Sequence, residues 1–136
     1  MKYLAIAVGM FLALAGSTVY AQTIDLRANI PFNFRMGDTV MPAGEYRVQS
    51  ERGVLTLRGE DGSHPAASVI VIAAVRPAAQ EPSRLVFNRY GDSYFLTKVW
   101  DAFSDGGKAL LKTPQEKEYA ARNGLVQTAS IPAQHK

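Results

Sequence analysis

The feature that most constrains this chain is an alternation running from Ile24 to Met36. Its even positions, Ile24, Leu26, Ala28, Ile30, Phe32, Phe34 and Met36, are all apolar. Its odd positions, Asp25, Arg27, Asn29, Asn33 and Arg35, are polar, with Pro31 the exception. Side chains on an extended backbone point alternately to opposite sides, so this spacing gives one dry face and one wet face. Helical geometry would scatter both sets around the axis. A sheet with one wet face is antiparallel, because parallel strands are usually covered on both faces. Pro31 falls on the wet side with no N–H to donate, which predicts an edge position or a bend between 24–29 and 32–36.

The residues before this stretch read differently. Lys2 supplies a short positive start, Tyr3 to Val19 is almost wholly apolar, and Val19-Tyr20-Ala21 offers small residues where a signal peptidase reads. The pattern predicts a secretory signal over 1–21, cleaved to leave Gln22 as the new N-terminus. A retained membrane anchor is the alternative, and the apolar run with its two glycines is short for a span. The chain has no cysteine, so there is no lipobox to acylate and no disulfide to form. The expected location is therefore the periplasm or the extracellular space, and not as a lipoprotein. Removing Lys2 from the 15 Lys+Arg leaves a small excess over the 12 Asp+Glu. The charges are interspersed, which argues against a nucleic-acid partner and, once the leader is gone, against a membrane one.

What remains is enough for one domain, expected over 22–126, with 127–136 as a flexible tail. Gly37-Asp38 suits a two-residue II′ hairpin, and Met41-Pro42-Ala43-Gly44 a type I turn. Tyr46 and Val48 alternate with Glu45, Arg47 and Gln49; after the turn at 50–53, Leu55 and Leu57 point the same way. Asp61-Gly62 is a strong hairpin signal. Ala67 to Val75 is apolar on both faces, so it belongs in the middle of a sheet or carries a second contact surface. Arg84–Tyr90 and Tyr94–Trp100 form a hairpin around Gly91-Asp92, and a two-residue turn there pairs Phe87 with Leu96 and Arg89 with Tyr94. Thr113-Pro114-Gln115-Glu116 is a capping box with proline in the first turn, and Asn123-Gly124 is a stop, which together predict a helix over about 114–122. The fold class expected is all-β: an antiparallel β-sandwich or partly open barrel of seven or eight strands, with one short C-terminal α-helix.

Three segments taken together, Ile30-Pro31-Phe32-Asn33-Phe34, Pro42-Ala43-Gly44-Glu45-Tyr46-Arg47-Val48 and Phe87-Asn88-Arg89-Tyr90-Gly91-Asp92-Ser93-Tyr94-Phe95-Leu96, carry a resemblance. The chain resembles a group of small exported β-rich proteins of unassigned function common in acidobacterial genomes. The likeness spans most of the chain from 24 to the helix. It implies export and a single β domain, and it transfers no active-site residues. Pro-Ala-Gly-x-Tyr also resembles a strand entry of transthyretin-like and immunoglobulin-like sandwiches, an architectural likeness only.

Catalytic groups are sparse. The histidines are His64, beside the Asp61-Gly62 turn, and His135, in the expected tail. Ser63, His64 and Asp61 are too close in sequence for a hydrolase triad, whose members come from separate elements. One ordered histidine and no thiolate make a zinc site a poor fit. Asp101, Asp105 and Gly106-Gly107 suit turn chemistry better than the alternating ligands of a calcium loop. Neither a metal nor a cofactor is expected. Glu45, Glu51, Glu60 and Asp92 could supply a carboxylate pair for polysaccharide hydrolysis, but several sit in or beside turns. The aromatic residues offer more. If the Phe95 face of its strand is core, Arg89, Tyr90, Tyr94, Lys98 and Trp100 make an amphipathic platform for a glycan, a peptide or an envelope protein; if the Tyr94 face is core, Trp100 is interior. The function expected is thus a non-catalytic exported β domain with a binding or structural role. The alternatives are a carboxylate-dependent hydrolase acting on polysaccharide and a carrier of a small apolar ligand.

Overall fold

The structure, a computed structural model, describes residues 24–60, 66–75, 82–102 and 106–135. The expected signal segment, the Asp61-Gly62 turn, His64 and Asp105 lie outside the described residues. The opening alternation forms β1 (Ile24–Ile30) and β2 (Phe34–Met36), separated at Pro31 as a ring without an N–H requires. All seven of its even side chains are buried or half-buried in one apolar cluster. Gly37 takes φ 59° and Asp38 does not follow it into the left-handed region, which is a type II′ turn leading to β3 (Thr39–Met41).

β4 (Gly44–Glu51) turns at Arg52-Gly53 into β5 (Val54–Gly59), with β6 (Ala67–Val75) beyond. β7 (Arg84–Tyr90) and β8 (Ser93–Trp100) turn at Gly91-Asp92 with the expected pairs Phe87↔Leu96 and Arg89↔Tyr94. The remaining elements are β9 (Gly106–Leu110), α1 (Pro114–Asn123) and β10 (Gln127–His135). Around the molecule the strands run β8-β7-β10-β1-β4-β5-β6-β9 and back to β8, each antiparallel to its neighbours. The result is a closed eight-stranded barrel. The β2–β3 hairpin attaches to β8 through a parallel bridge, Arg35↔Phe95.

Two segments depart from the expectation. The expected tail is β10, and it holds β7 to β1: 127–132 pairs with β7 and 133–135 with β1. Ala129, Ile131 and Ala133 pack against the core, so the segment alternates as a strand with small residues. Gly106-Gly107 opens β9 instead of a loop. Gly107 lies across from Trp100, and a Cβ there would run into the indole Cε3 and the Val99 carbonyl, so only glycine lets the two strands approach.

An eight-stranded barrel is just wide enough for side chains to fill. Leu26, Ile30, Tyr46, Val48, Leu55, Leu57, Leu85 and Phe87 occupy this one, and Phe34, Met36 and Met41 enter from the hairpin. The outer wall of β1, β4 and β5 carries Asp25, Arg27, Glu45, Arg47 and Arg58. A transmembrane barrel has the opposite arrangement, an apolar exterior around a polar lumen.

Candidate functional site

β8 decides where the nominated aromatic residues go. Its ladder with β7 pairs Phe87 with Leu96 but Val86 with Lys98, leaving Thr97 as an extra residue. This bulge reverses the alternation within the strand. Tyr94, Leu96 and Val99 belong to the core side, whereas Phe95 and Trp100 lie outside that cluster. Tyr94 and Trp100 therefore do not share a face, and neither of the two faces read from strict alternation exists.

The platform is consequently not assembled. Tyr90 is 1% exposed and Trp100 4% exposed. Tyr94 is half-buried, with Phe32 stacked on it at 3.7 Å between centroids and the Arg89 guanidinium 5.4 Å from its ring centre. These contacts occupy the ring that a sugar would need. Arg89 is drawn to its own turn, donating from Nε to the Gly91 carbonyl at 2.7 Å. Lys98 is exposed, with Nζ 5.9 Å from the centre of the Trp100 ring.

Tyr90 belongs instead to a small second core outside the barrel wall. Thr113 caps α1 by accepting from the Glu116 amide at 3.2 Å, the half of the capping box read correctly from the sequence. The Glu116 carboxylate is turned onto the barrel, accepting from the Tyr90 hydroxyl at 2.9 Å and the Asn88 amide at 3.3 Å. Burial, then the bond to Glu116 and its charge, push the Tyr90 hydroxyl up to about 12, so it stays a donor. Phe95 and Tyr119 complete the cluster, edge to face at 5.4 Å, with Arg35 over both rings.

Of the carboxylates nominated for hydrolysis, Glu45 and Glu60 line one open depression of the outer wall, whereas Glu51 and Asp92 lie apart from them. Glu45, Glu51 and Asp92 are exposed, and Glu60 pairs with Arg27 at 3.2 Å. Among the described residues the buried carboxylates are Glu116 and Asp101. Asp101 Oδ1 lies 2.6 Å from His135 Nε2, so the histidine expected in a loose tail is held at the barrel end. Beside them Ser83 joins two segments: its Oγ accepts from the Ala102 amide and its carbonyl from the Ala133 amide. Among the described residues no three histidine or carboxylate side chains are grouped to hold a metal.

Two of the described depressions lie in the outer wall. One of about 450 Å³ spans β1, β4 and β5 and is lined by Asp25, Gln49, Glu51, Thr56 and Arg58 among others. Beneath it Asp25 binds Arg47 through two bonds of 2.9 and 3.1 Å, and those bonds, then the charge of Asp25, raise the Arg47 pKa above its already high ordinary value. A second, of about 440 Å³, follows the β10–β1–β4 seam and is lined by Arg27, Glu45 and Glu60 with the small residues beside them. Neither is an enclosed apolar cavity of the kind a ligand carrier needs.

The unusual surface is elsewhere. Val54, Ile70, Ile72 and Leu111 are 40%, 72%, 52% and 61% exposed. Register makes them neighbours: Val54 lies opposite Ile70 and Ile72 opposite Ala109. The β6–β9 ladder carried one residue beyond Val71↔Leu110 brings Leu111 beside Ile70. The sequence signal for this patch was the run from Ala67 to Val75, dry on both faces. One face fills the barrel and the other is exposed.

Comparison of the chain with protein-family models, with curated proteins and with solved structures gave no match. Fold and surface together define an all-β protein: a closed antiparallel barrel with a packed interior, a helix clamped to its wall and one bare aliphatic face.

Proposed function

We propose that this chain is an exported, non-catalytic β domain that acts through its outer surface, by binding or as a structural part of the envelope or extracellular space. The observation that carries this reading is the aliphatic face of β5, β6 and β9. Large aliphatic side chains gathered on an otherwise well-packed protein mark an interaction surface, because covering them removes apolar area from water. The leader pattern over 1–21 and the resemblance to small exported acidobacterial proteins support the location.

Fractionation of the producing cells with intact-mass measurement tests both halves. The chain is expected outside the cytoplasm with Gln22 at its N-terminus, and an Ile70→Thr, Ile72→Thr double variant is expected to be exported yet lose its association with envelope material. A cytoplasmic chain that retains residues 1–21, or a double variant that partitions as the parent does, would defeat the proposal.

A further inference from the structure

We infer that the aliphatic face of β5, β6 and β9 docks on an anionic lipid surface, an inference that rests on the surface-acting reading above. The described outward-facing residues of β6 and β9 that reach the surface are Ser68, Ile70, Ile72, Ala74 and Ala109, and Leu111 extends the row; none carries a charge. Cations border this area on several sides. Lys98 of β8 lies opposite Ala109. The Val71 amide donates to the Gly53 carbonyl at 2.9 Å, which holds the turn that carries Arg52 against β6. Arg58 stands four residues along β5 on the same face as Val54, and Lys112 follows Leu111. Arg52, Arg58, Lys98 and Lys112 are all exposed. Among the described residues the acidic groups on this side are Glu51, opposite Val54, and Asp25, which lines the same depression as Val54 and Arg58 and is paired with Arg47.

This charge arrangement decides among occupants. A second copy packed about a two-fold axis would set one basic rim against another, and like charges across an interface oppose association. Protruding aliphatic groups inside a basic border are the two signals that together hold a protein at a membrane interface, one apolar and one electrostatic. The interspersed charges of the sequence conceal the arrangement, because its members come from four strands and their turns.

The test is flotation of the exported chain, its N-terminus fixed by intact mass, with vesicles of phosphatidylglycerol and phosphatidylethanolamine and, separately, of phosphatidylcholine. The chain is expected to float with the anionic vesicles, to do so at least tenfold less with the neutral ones, and to be released by salt. Ile70→Thr, Ile72→Thr keeps the β-branched shape and should lower binding at least tenfold; Arg58→Gln, Lys98→Gln should lower it and flatten the salt dependence. Emission from Trp100 and an unchanged thermal midpoint verify that each variant is folded. Absence of flotation, or flotation indifferent to the two threonines, overturns the lipid inference. Should the vesicles fail while a photo-cross-linker at position 70 captures a second copy or an acidic protein, the lipid inference falls and the surface-acting reading survives. A chain that neither floats, cross-links nor associates with envelope material takes both down.

Discussion

Buried Glu116 shows how much rests on single side chains. Its partners on the barrel are Tyr90 and Asn88, and its charge also benefits from lying in the first turn of α1. Tyr90→Phe removes a hydrogen bond to a charged group and leaves the carboxylate short of a donor. We expect a loss of about 1.5–3 kcal/mol in urea unfolding. The Tyr90 hydroxyl is raised from the ordinary value near 10 to about 12. Its contribution is therefore fully present below pH 10 and is lost as the pH rises through 12. Unfolding followed across that window should fall more steeply for the parent than for Tyr90→Phe; parallel curves would show that the hydroxyl is not coupled to folding. Arg52 is a different case, held at φ 53° just before Gly53. Asparagine tolerates that conformation better and matches the favoured hairpin dipeptide, so Arg52→Asn is expected to stabilise by about 0.5–1 kcal/mol, read as a higher thermal midpoint.

At the scale of the element, β9 and β10 are the informative strands. Gly107→Ala would drive a methyl into the Trp100 ring and the Val99 carbonyl, and neither can move without parting the barrel wall. Overpacking of this kind costs about 1–3 kcal/mol or more, and calorimetry on the variant should show it. Ending the chain after Gly124 would expose the facing edges of β7 and β1, and we expect no cooperative unfolding transition in such a fragment; a sharp transition would mean that β10 is dispensable. These are also the strands that the sequence hid. Gly106-Gly107 reads as a turn until the indole across from it is known, and that indole reaches Gly107 only through the fold. In β10 the inward residues are Ala129, Ile131 and Ala133, and one isoleucine between two alanines makes too weak an alternation to stand out against Thr128, Ser130 and Pro132. By contrast β1, the hairpin turns at Gly37 and Gly91 and the cap at Thr113 were legible, because each is fixed by local chemistry. The Thr97 bulge was not, and missing it put Tyr94 and Trp100 on one imagined surface.

At the scale of the whole molecule, the interior is filled and the exterior is divided. The wall of β1, β4 and β5 is laced by ion pairs, whereas the outward positions described in β6 and β9 carry no charge, Lys108 falling between them in the alternation. Phe87 touches Phe32 and Phe34 edge to face at 5.0 and 5.4 Å, joining the β7 wall to the chain around the plugging hairpin. Phe87→Ala should therefore cost about 3–5 kcal/mol, at the upper range for one core residue, as judged by the denaturant midpoint. Closure of the barrel has a further consequence in time. Residues 26–28 meet β4 nearby in the chain but find their second neighbours only once those at 133–135 exist, and pairings so distant along a chain form late and slowly. A polypeptide still emerging from the ribosome holds seven staves of the cask and lacks the eighth. It stays pliable until β10 is free to close the ring.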